Sequence, residues 1–383
     1  MNSEQLRLFI NGAFGNEADA RRVRRKLEPY LRRVLDEIRE IVEQLGDSSL
    51  TRQRDWRALL ELVEEALLPY NDAFGIELGQ QLPVSGLAAA EETTLQLKSV
   101  LPRTAGGLVP PEAVMADSTK FLLNTQVSGR RVLEMFAPSA VGGPTPFTEF
   151  ARRRIDQLVT GGIIRGDETK VIASKLIPYL NKQLAGDALT IARTAIQDYN
   201  RQVKEAVWDA NEEGFIAAGL KYEWVAALDS RTCPTCAPLD GDVRDKRTDF
   251  PKTPIHVNCR CQVVLIDPDD PGKIRYGQQA YDQQPTGEGV YKTKKKVKGE
   301  ELFRKNVEVN TVDGKSPRYA DFLAKSNRTT QAMFFGGGNA GAVRAERFQR
   351  MIRNGRSPQD ALKDLTNRVP KTKADRRFKP VTD

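Results

Sequence analysis

The sequence predicts a mainly α-helical protein with one small β-hairpin module, an α+β arrangement whose body is a helical bundle. Three observations predict it. Apolar residues recur every three or four positions through the first hundred residues and again from Phe147 to Gly214, the period of helices that bury one face. The period then changes to alternation at Tyr222, Trp224, Ala226 and Leu228, and again at Val263 and Leu265, the mark of half-buried strands. Between those two runs lie all four cysteines and the single histidine of a 383-residue chain.

The first helix carries Val23, Leu27, Tyr30, Leu31, Val34, Leu35, Ile38, Ile41, Val42 and Leu45 on one stripe, with Pro29 expected at a helix start or a kink. Gly46, Asp47, Ser48 and Ser49 break the pattern. A second helix then buries Trp56, Leu59, Leu60, Val63, Ala66, Leu67 and Tyr70, so residues 1–102 read as an antiparallel helical hairpin. Residues 103–146 are rich in glycine and proline around one helix-like segment from Asp117 to Phe136, and read as a hinge. Its Arg130 and Arg131 read as plain surface charge.

Residues 147–266 form the second body. Phe147, Phe150, Ala151, Ile155 and Leu158 share a face, with Arg152, Arg153 and Arg154 mostly off it. Asp167 is placed to cap a helix that turns Val171, Ile172, Leu176 and Leu180 inward. Asp187 is placed to cap another, which ends at Gly214. The β module spans 219–266, with Asp240 and Gly241 as its turn. A polar, basic linker covers 267–315. A C-terminal helical segment covers 316–368, with an amphipathic turn at Tyr319, Phe322 and Leu323. A basic helix from Ala342 to Asn354 carries Arg344, Arg347, Arg350 and Arg353, and a last helix opens at Ser357 and Pro358. The tail, 369–383, is basic.

The cysteine spacing is C-x2-C at Cys233 and Cys236, nineteen residues, then H-x2-C-x-C at His256, Cys259 and Cys261. That offers five soft or borderline donors to an ion that takes four, and structural Zn2+ is the natural candidate. Cys233, Cys236 and His256 with either Cys259 or Cys261 is favoured over the all-cysteine set, because an imidazole three residues before a cysteine matches common ligand spacing. The metal would pin a small sheet that cannot build a core of its own. Two disulfides are the competing reading, and a chain this long without a secretory signal does not call for them.

The net charge of +8 is uneven. Residues 286–383 hold 23 Lys and Arg against 11 Asp and Glu, so the first 285 carry 36 against 40, a net −4. The lysine cluster Lys292, Lys294, Lys295, Lys296 and Lys298 and the arginines of 344–353 are therefore candidates for contact with DNA phosphates or an acidic protein surface. No apolar run reaches the roughly 20 residues of a membrane span, and the first residues lack the pattern of an export signal, so the protein is expected in the cytosol.

The run ARTAIQDYNRQ at 192–202, WVAALDSRTCPTCAPLDGDV at 224–243 and PIHVNCRCQVV at 254–264 resembles the phage head-morphogenesis family of Mu F-like minor head proteins, and residues 316–348 resemble the region that follows. The family motif falls on Asp229, Arg231, Thr232, Cys233, Cys236, Asp240, Gly241, His256, Asn258, Cys259, Arg260 and Cys261. The resemblance implies a virion component present in few copies at the portal vertex, assembled in the bacterial cytoplasm with portal protein or major capsid protein. It would act in head assembly, genome packaging or ejection. It implies no enzymatic activity. A metal-dependent enzyme acting on nucleic acid is the alternative, but a nuclease needs a histidine base besides its ligands, and a zinc deaminase needs H-x-E where this chain has His256, Val257 and Asn258. A zinc-ribbon DNA reader would need a recognition helix beside the metal, and the basic residues lie elsewhere.

Overall fold

The fold is that of a computed structural model, which describes residues 3–44, 53–101, 107–127, 129–135, 147, 157–158, 161, 165, 169–226, 232–267 and 318–366. The chain divides into two compact units. The principal segments of one are Phe14–Ala89 and Glu112–Val203, and those of the other Ala90–Pro111 and Lys204–Phe378.

Helices α1 (Ser3–Gln44) and α2 (Gln53–Val100), whose residues from Phe14 on and up to Ala89 belong to the first unit, run antiparallel there, because Arg22 reaches Gln81 while Lys26, a turn later, reaches Glu77. Val23, Leu27, Leu31, Val34, Leu35 and Ile38 are buried as their spacing requires, whereas Tyr30 is exposed. Pro29 lies inside α1 and starts no helix. It is exposed, so the carbonyl that loses its partner can be hydrated. α2 likewise continues well beyond Tyr70, with Pro69 and Pro83 inside it.

The expected helix at 117–136 is instead three pieces. α3 (Pro111–Met115) and α4 (Ser118–Asn124) lead into a two-strand ladder, β1 (Gln126–Val127) with β2 (Arg130–Arg131), and one helical turn, α5 (Val132–Met135). Gly129, at φ +81°, supplies the reversal that a continuous helix would forbid. Arg131 is exposed and pairs with Glu134. Phe147 is fully buried between the rings of Tyr70 and Phe74. Phe150, Ala151, Arg152, Arg153, Arg154, Ile155 and Asp167 lie outside the described residues.

Helix α6 (Thr169–Asp209) corrects two expectations. Asp187 caps nothing: it is buried mid-helix and accepts the Gln183 amide at 2.9 Å, while Leu184, Ala188 and Ile191 carry the apolar stripe straight past it. Val171, expected inward, is exposed. Nor does the helix end at Gly214, which sits inside the short helix α7 (Glu212–Ala217). The left-handed stop is Gly219, at φ +68°: its N–H bonds the Ile216 carbonyl and the Leu220 N–H bonds that of Phe215, closing a Schellman turn.

In the second unit, β3 (Lys221–Val225) is the centre of a three-stranded antiparallel sheet, flanked by β4 (Val243–Arg244) and β5 (Gln262–Ile266). Val263 and Leu265 do lie opposite Trp224 and Tyr222. They are only half-buried, however, while Gln262, Val264 and Ile266 are buried, the reverse of the expected parity. Val225, opposite Gln262, is buried as well, so both faces of the sheet are covered and alternation no longer tells inside from outside. Leu228 is outside the described residues.

Four helices close this unit: α8 (Tyr319–Lys325), α9 (Arg328–Phe334), α10 (Gly338–Arg353) and α11 (Pro358–Thr366). They share a core of Tyr319, Leu323, Phe335, Phe348, Ala361 and Leu362, into which Ala237 of the cysteine segment also inserts. Gly341 lets α10 lie against α9, since a Cβ there would come within 2.3 Å of the Ala332 carbonyl oxygen. No described helix is long and apolar enough to cross a membrane.

Candidate metal centre

Two tight turns present the donors. Cys233, Pro234, Thr235 and Cys236 form the first, in which the Cys236 N–H bonds the Cys233 carbonyl at 3.2 Å and its sulfur at 3.3 Å, and the Ala237 N–H bonds the same carbonyl at 3.0 Å. Backbone N–H groups aimed at a sulfur favour its thiolate. In the second turn the Cys259 N–H bonds the His256 carbonyl at 3.1 Å, and Asn258 holds the left-handed conformation, φ 58°, that brings residue 259 back toward residue 256.

The turns face each other. His256 Nε2 lies 2.8 Å from Cys233 Sγ and 3.3 Å from Cys236 Sγ, and Cys236 Sγ lies 3.8 Å from Cys259 Sγ. The donors fall into two groups that share Cys236: Cys233, Cys236 and His256, and Cys236, Cys259 and Cys261, each within 4.8 Å internally. All four cysteines are buried, and none of them is joined in a disulfide. His256 Nδ1 is 2.8 Å from the Val257 carbonyl oxygen, which only an Nδ1–H can satisfy, so Nε2 is the ring nitrogen that faces the sulfurs.

The protonation pattern follows from these contacts. The Cys236 hydrogen bond, helped by His256, lowers the Cys233 thiol to about 5 against the cost of burial. Cys259 is also held well below the usual thiol range, first by Cys236 and Cys261. Cys236 and Cys261 are pushed up. Burial lowers the imidazole, but the thiolates of Cys233 and Cys259 outweigh it and raise His256 to about 11. The donor chemistry suits a metal ion: at about 2.3 Å per Zn–S bond, a tetrahedral edge between two sulfurs is about 3.8 Å, the separation of Cys236 and Cys259, whereas His256 Nε2 and Cys233 Sγ, at 2.8 Å, stand closer than such an edge.

Other motif residues build the support. Gly241, at φ +77°, donates its N–H to the Trp224 carbonyl at 2.8 Å, locking the turn to β3. Asp240 is completely buried and accepts the Ala226 N–H at 2.7 Å and the Tyr319 N–H at 2.6 Å. Thr232 is buried too. Asp229, Arg231 and the lysines at 292, 294, 295, 296 and 298 lie outside the described residues. The arginines of α10 are not at the cluster. Arg347 and Arg350 are exposed and Arg353 pairs with Glu346, but Arg344, expected on the surface, is half-buried and donates to the Phe335 carbonyl at 2.9 Å. That bond secures the turn before α10, where Gly336, Gly337 and Gly338 all have positive φ.

The cysteines and the histidine singled out in the sequence do come together, but a polar core in the first unit gave no sign that the sequence reading used. Along α6, Asn200 Nδ2 donates to Asn16 Oδ1 at 2.6 Å and to Ser85 Oγ at 2.8 Å, and Gln197 accepts from Asn16 at 2.8 Å. Arg193 makes a bidentate pair with Glu17, and Asp198 accepts the Gln126 N–H at 2.8 Å. The signal was present: Gln197, Asp198 and Asn200 lie among Ile196, Tyr199 and Val203, all of them buried.

The fold and site thus define a mainly helical protein with a small antiparallel sheet and a buried cysteine–histidine cluster that could hold a metal ion. Residues 153–264, which hold the whole cluster and all of α6, match the family described as Phage Mu protein F like protein. Over that stretch the match supports the resemblance read from the motifs. No curated protein matches the chain, and no solved structure does.

Proposed function

We propose that the protein is a minor head protein of a phage, acting in head morphogenesis at the portal vertex and in packaging or ejection of the genome. The observation that carries this reading is that the family match contains the complete donor set, Cys233, Cys236, His256, Cys259 and Cys261. Structural Zn2+ held by four of these five would cross-link the two turns. Four protein ligands leave no open position for a reactive water, so the role is structural and the protein is not an enzyme.

The partners are portal protein, major capsid protein, or both, in the virion and in the host cytoplasm where heads assemble. Phage DNA is a further partner, reached through the basic segments at 292–298 and 344–353. The division into a helical hairpin at 1–102, a hinge at 103–146, a body at 147–266, a linker at 267–315, a C-terminal segment at 316–368 and a tail at 369–383 belongs to the same reading, and limited proteolysis would map it.

Quantitative mass spectrometry of purified proheads and virions, measured against the major shell protein, tests the assignment. Copies numbering from a few to a few tens support it. Hundreds would make the chain a shell or scaffold component, and absence from both particles would overturn the reading.

A further inference from the structure

The net charge of −4 over the first 285 residues conceals a strongly cationic stretch of α1. Residues 21–33 contain seven Lys and Arg against Glu28 alone, a local charge of +6. Every one of the seven is exposed, while Val23, Leu27 and Leu31 between them are buried. At about 100° per residue, Arg21, Arg22, Arg25, Lys26, Arg32 and Arg33 fall on a single arc of about 140° opposite the buried stripe, along about 18 Å of helix.

Arg21, Arg22 and Lys26 have acidic neighbours in Glu17, Asp19 and Glu77. Arg25, Arg32 and Arg33 have no acidic partner among the described residues. Spacings of three and four within the set, such as Arg21 with Arg25 and Arg22 with Lys26, put like charges side by side, which costs helix stability. Packing of α1 onto α2 engages Arg22 and Lys26, through Gln81 and Glu77, and leaves Arg25, Arg32 and Arg33 outside those contacts.

We propose that the solvent face of α1 between Arg21 and Arg33 binds the phosphate backbone of double-stranded DNA. This deepens the reading above, on which it rests for the supply of DNA, and moves the principal contact from the lysines at 292–298 to the helical body. The dimensions agree. B-DNA carries one negative charge per about 1.7 Å of axis, so about 18 Å of helix faces about ten phosphates, roughly half of them on the near side. Guanidinium groups suit the task because they grip phosphate with two parallel N–H donors.

A second copy of the chain is the competing occupant, since the same arc turns acidic at Asp36, Glu37, Glu40 and Glu43 and could meet the basic half head to tail. Magnitudes decide against it. Exposed ion pairs between proteins contribute little and must outweigh the loss of translational freedom, whereas phosphate contact gains entropy from each released counterion. Such contacts carry no base information, so binding is independent of sequence.

The test uses the full chain and a fluorescent duplex of about 30 base pairs, titrated from about 50 to 200 mM salt. The triple variant Arg25→Ala, Arg32→Ala, Arg33→Ala alters only exposed side chains, and circular dichroism checks its fold. It is expected to bind about tenfold or more weakly at low salt and to flatten the log–log salt slope by about 2.7, near 0.9 per lost contact. A variant with Lys294, Lys295 and Lys296 changed to Ala is expected to keep most of the affinity. The proposal is overturned if the triple variant binds like the parent with the same slope. It is also overturned if the parent ignores DNA but self-associates in a salt-sensitive way that the triple variant abolishes. If instead the lysine variant alone loses binding, α1 is excluded while the head-protein reading stands, because copy number in the particle is measured separately.

Discussion

Asp240 accepts the backbone N–H of Tyr319 at 2.6 Å across 79 residues of sequence. Its other oxygen takes the Ala226 N–H, so a single buried carboxylate joins the end of β3 to the start of α8. The segment that follows Cys236 is the seat of the C-terminal helices. Ala237 belongs to their core, Gln359 of α11 donates to the Pro238 carbonyl at 2.7 Å, and the Lys363 ammonium lies 3.6 Å from Asp242. Order at the cysteine cluster and docking of those helices therefore share one short piece of backbone.

Asp240→Asn keeps the shape but sets an amide N–H2 against one of two backbone N–H donors. Losing a charge-assisted bond and leaving a buried donor unmet costs about 1.5–3 kcal/mol. The expected outcome is a lower unfolding midpoint and faster hydrogen exchange in α8, with zinc per chain unchanged. A parallel fall in zinc would place Asp240's effect on the cluster and not on the docking.

Cys236 is common to both donor groups and is fully buried. With the proposed zinc in place, Cys236→Ser or treatment with a chelator is expected to melt the β module, lower solubility and expose backbone amides from 232 to 267 to exchange, because binding free energy of a structural metal is folding free energy. Elemental analysis beside a thermal melt checks this. Equal zinc content and an unchanged melt in the variant would remove Cys236 from the ligand set.

The helical stripes and the donor cluster were legible in the sequence because burial and metal geometry act through short, fixed spacings, as at Val23, Leu27, Leu31 and Val34 or at Cys233 and Cys236. Signals that depend on distant partners were not. Asp187 has the residue type of a cap but lies in a continuous helix, and Gly214 has that of a stop while Gly219 does the stopping. Asn200 meets Asn16 across 184 residues, and Asp240 meets Tyr319 across 79. Local period carries no record of such pairings.

Glu92 of the second unit is buried, which pushes its carboxyl up to about 7 despite the opposing Lys204 ammonium. Between about 4.5 and 7 the unfolded chain gives up this proton while the folded chain keeps it, so this contribution to stability falls as pH rises through that window and is level outside it. The total is on the order of 3 kcal/mol. Thermal melts at either end of the window, compared between the parent and Glu92→Gln, isolate the effect from the cysteine cluster. The variant is expected to be the more stable at the alkaline end, and identical pH profiles would contradict the assignment.

Two glycines within α2 predict opposite outcomes for the same substitution. A Cβ on Gly86 would come within 2.3 Å of the Tyr199 ring, whereas one on Gly79 would meet nothing within 4 Å. Tyr199 cannot withdraw cheaply: it is buried, stacks edge-on against Phe121 at 6.0 Å and donates its hydroxyl to the Ser118 carbonyl. Gly86→Ala is therefore expected to destabilise the helical body by about 1–3 kcal/mol through overpacking. Gly79→Ala is expected to stabilise it by about 0.5–1 kcal/mol, because alanine loses less backbone entropy in a helix interior. Denaturant melts of the two variants side by side decide the matter, and a stabilising Gly86→Ala would mean that α2 and α6 are not in the register this packing requires.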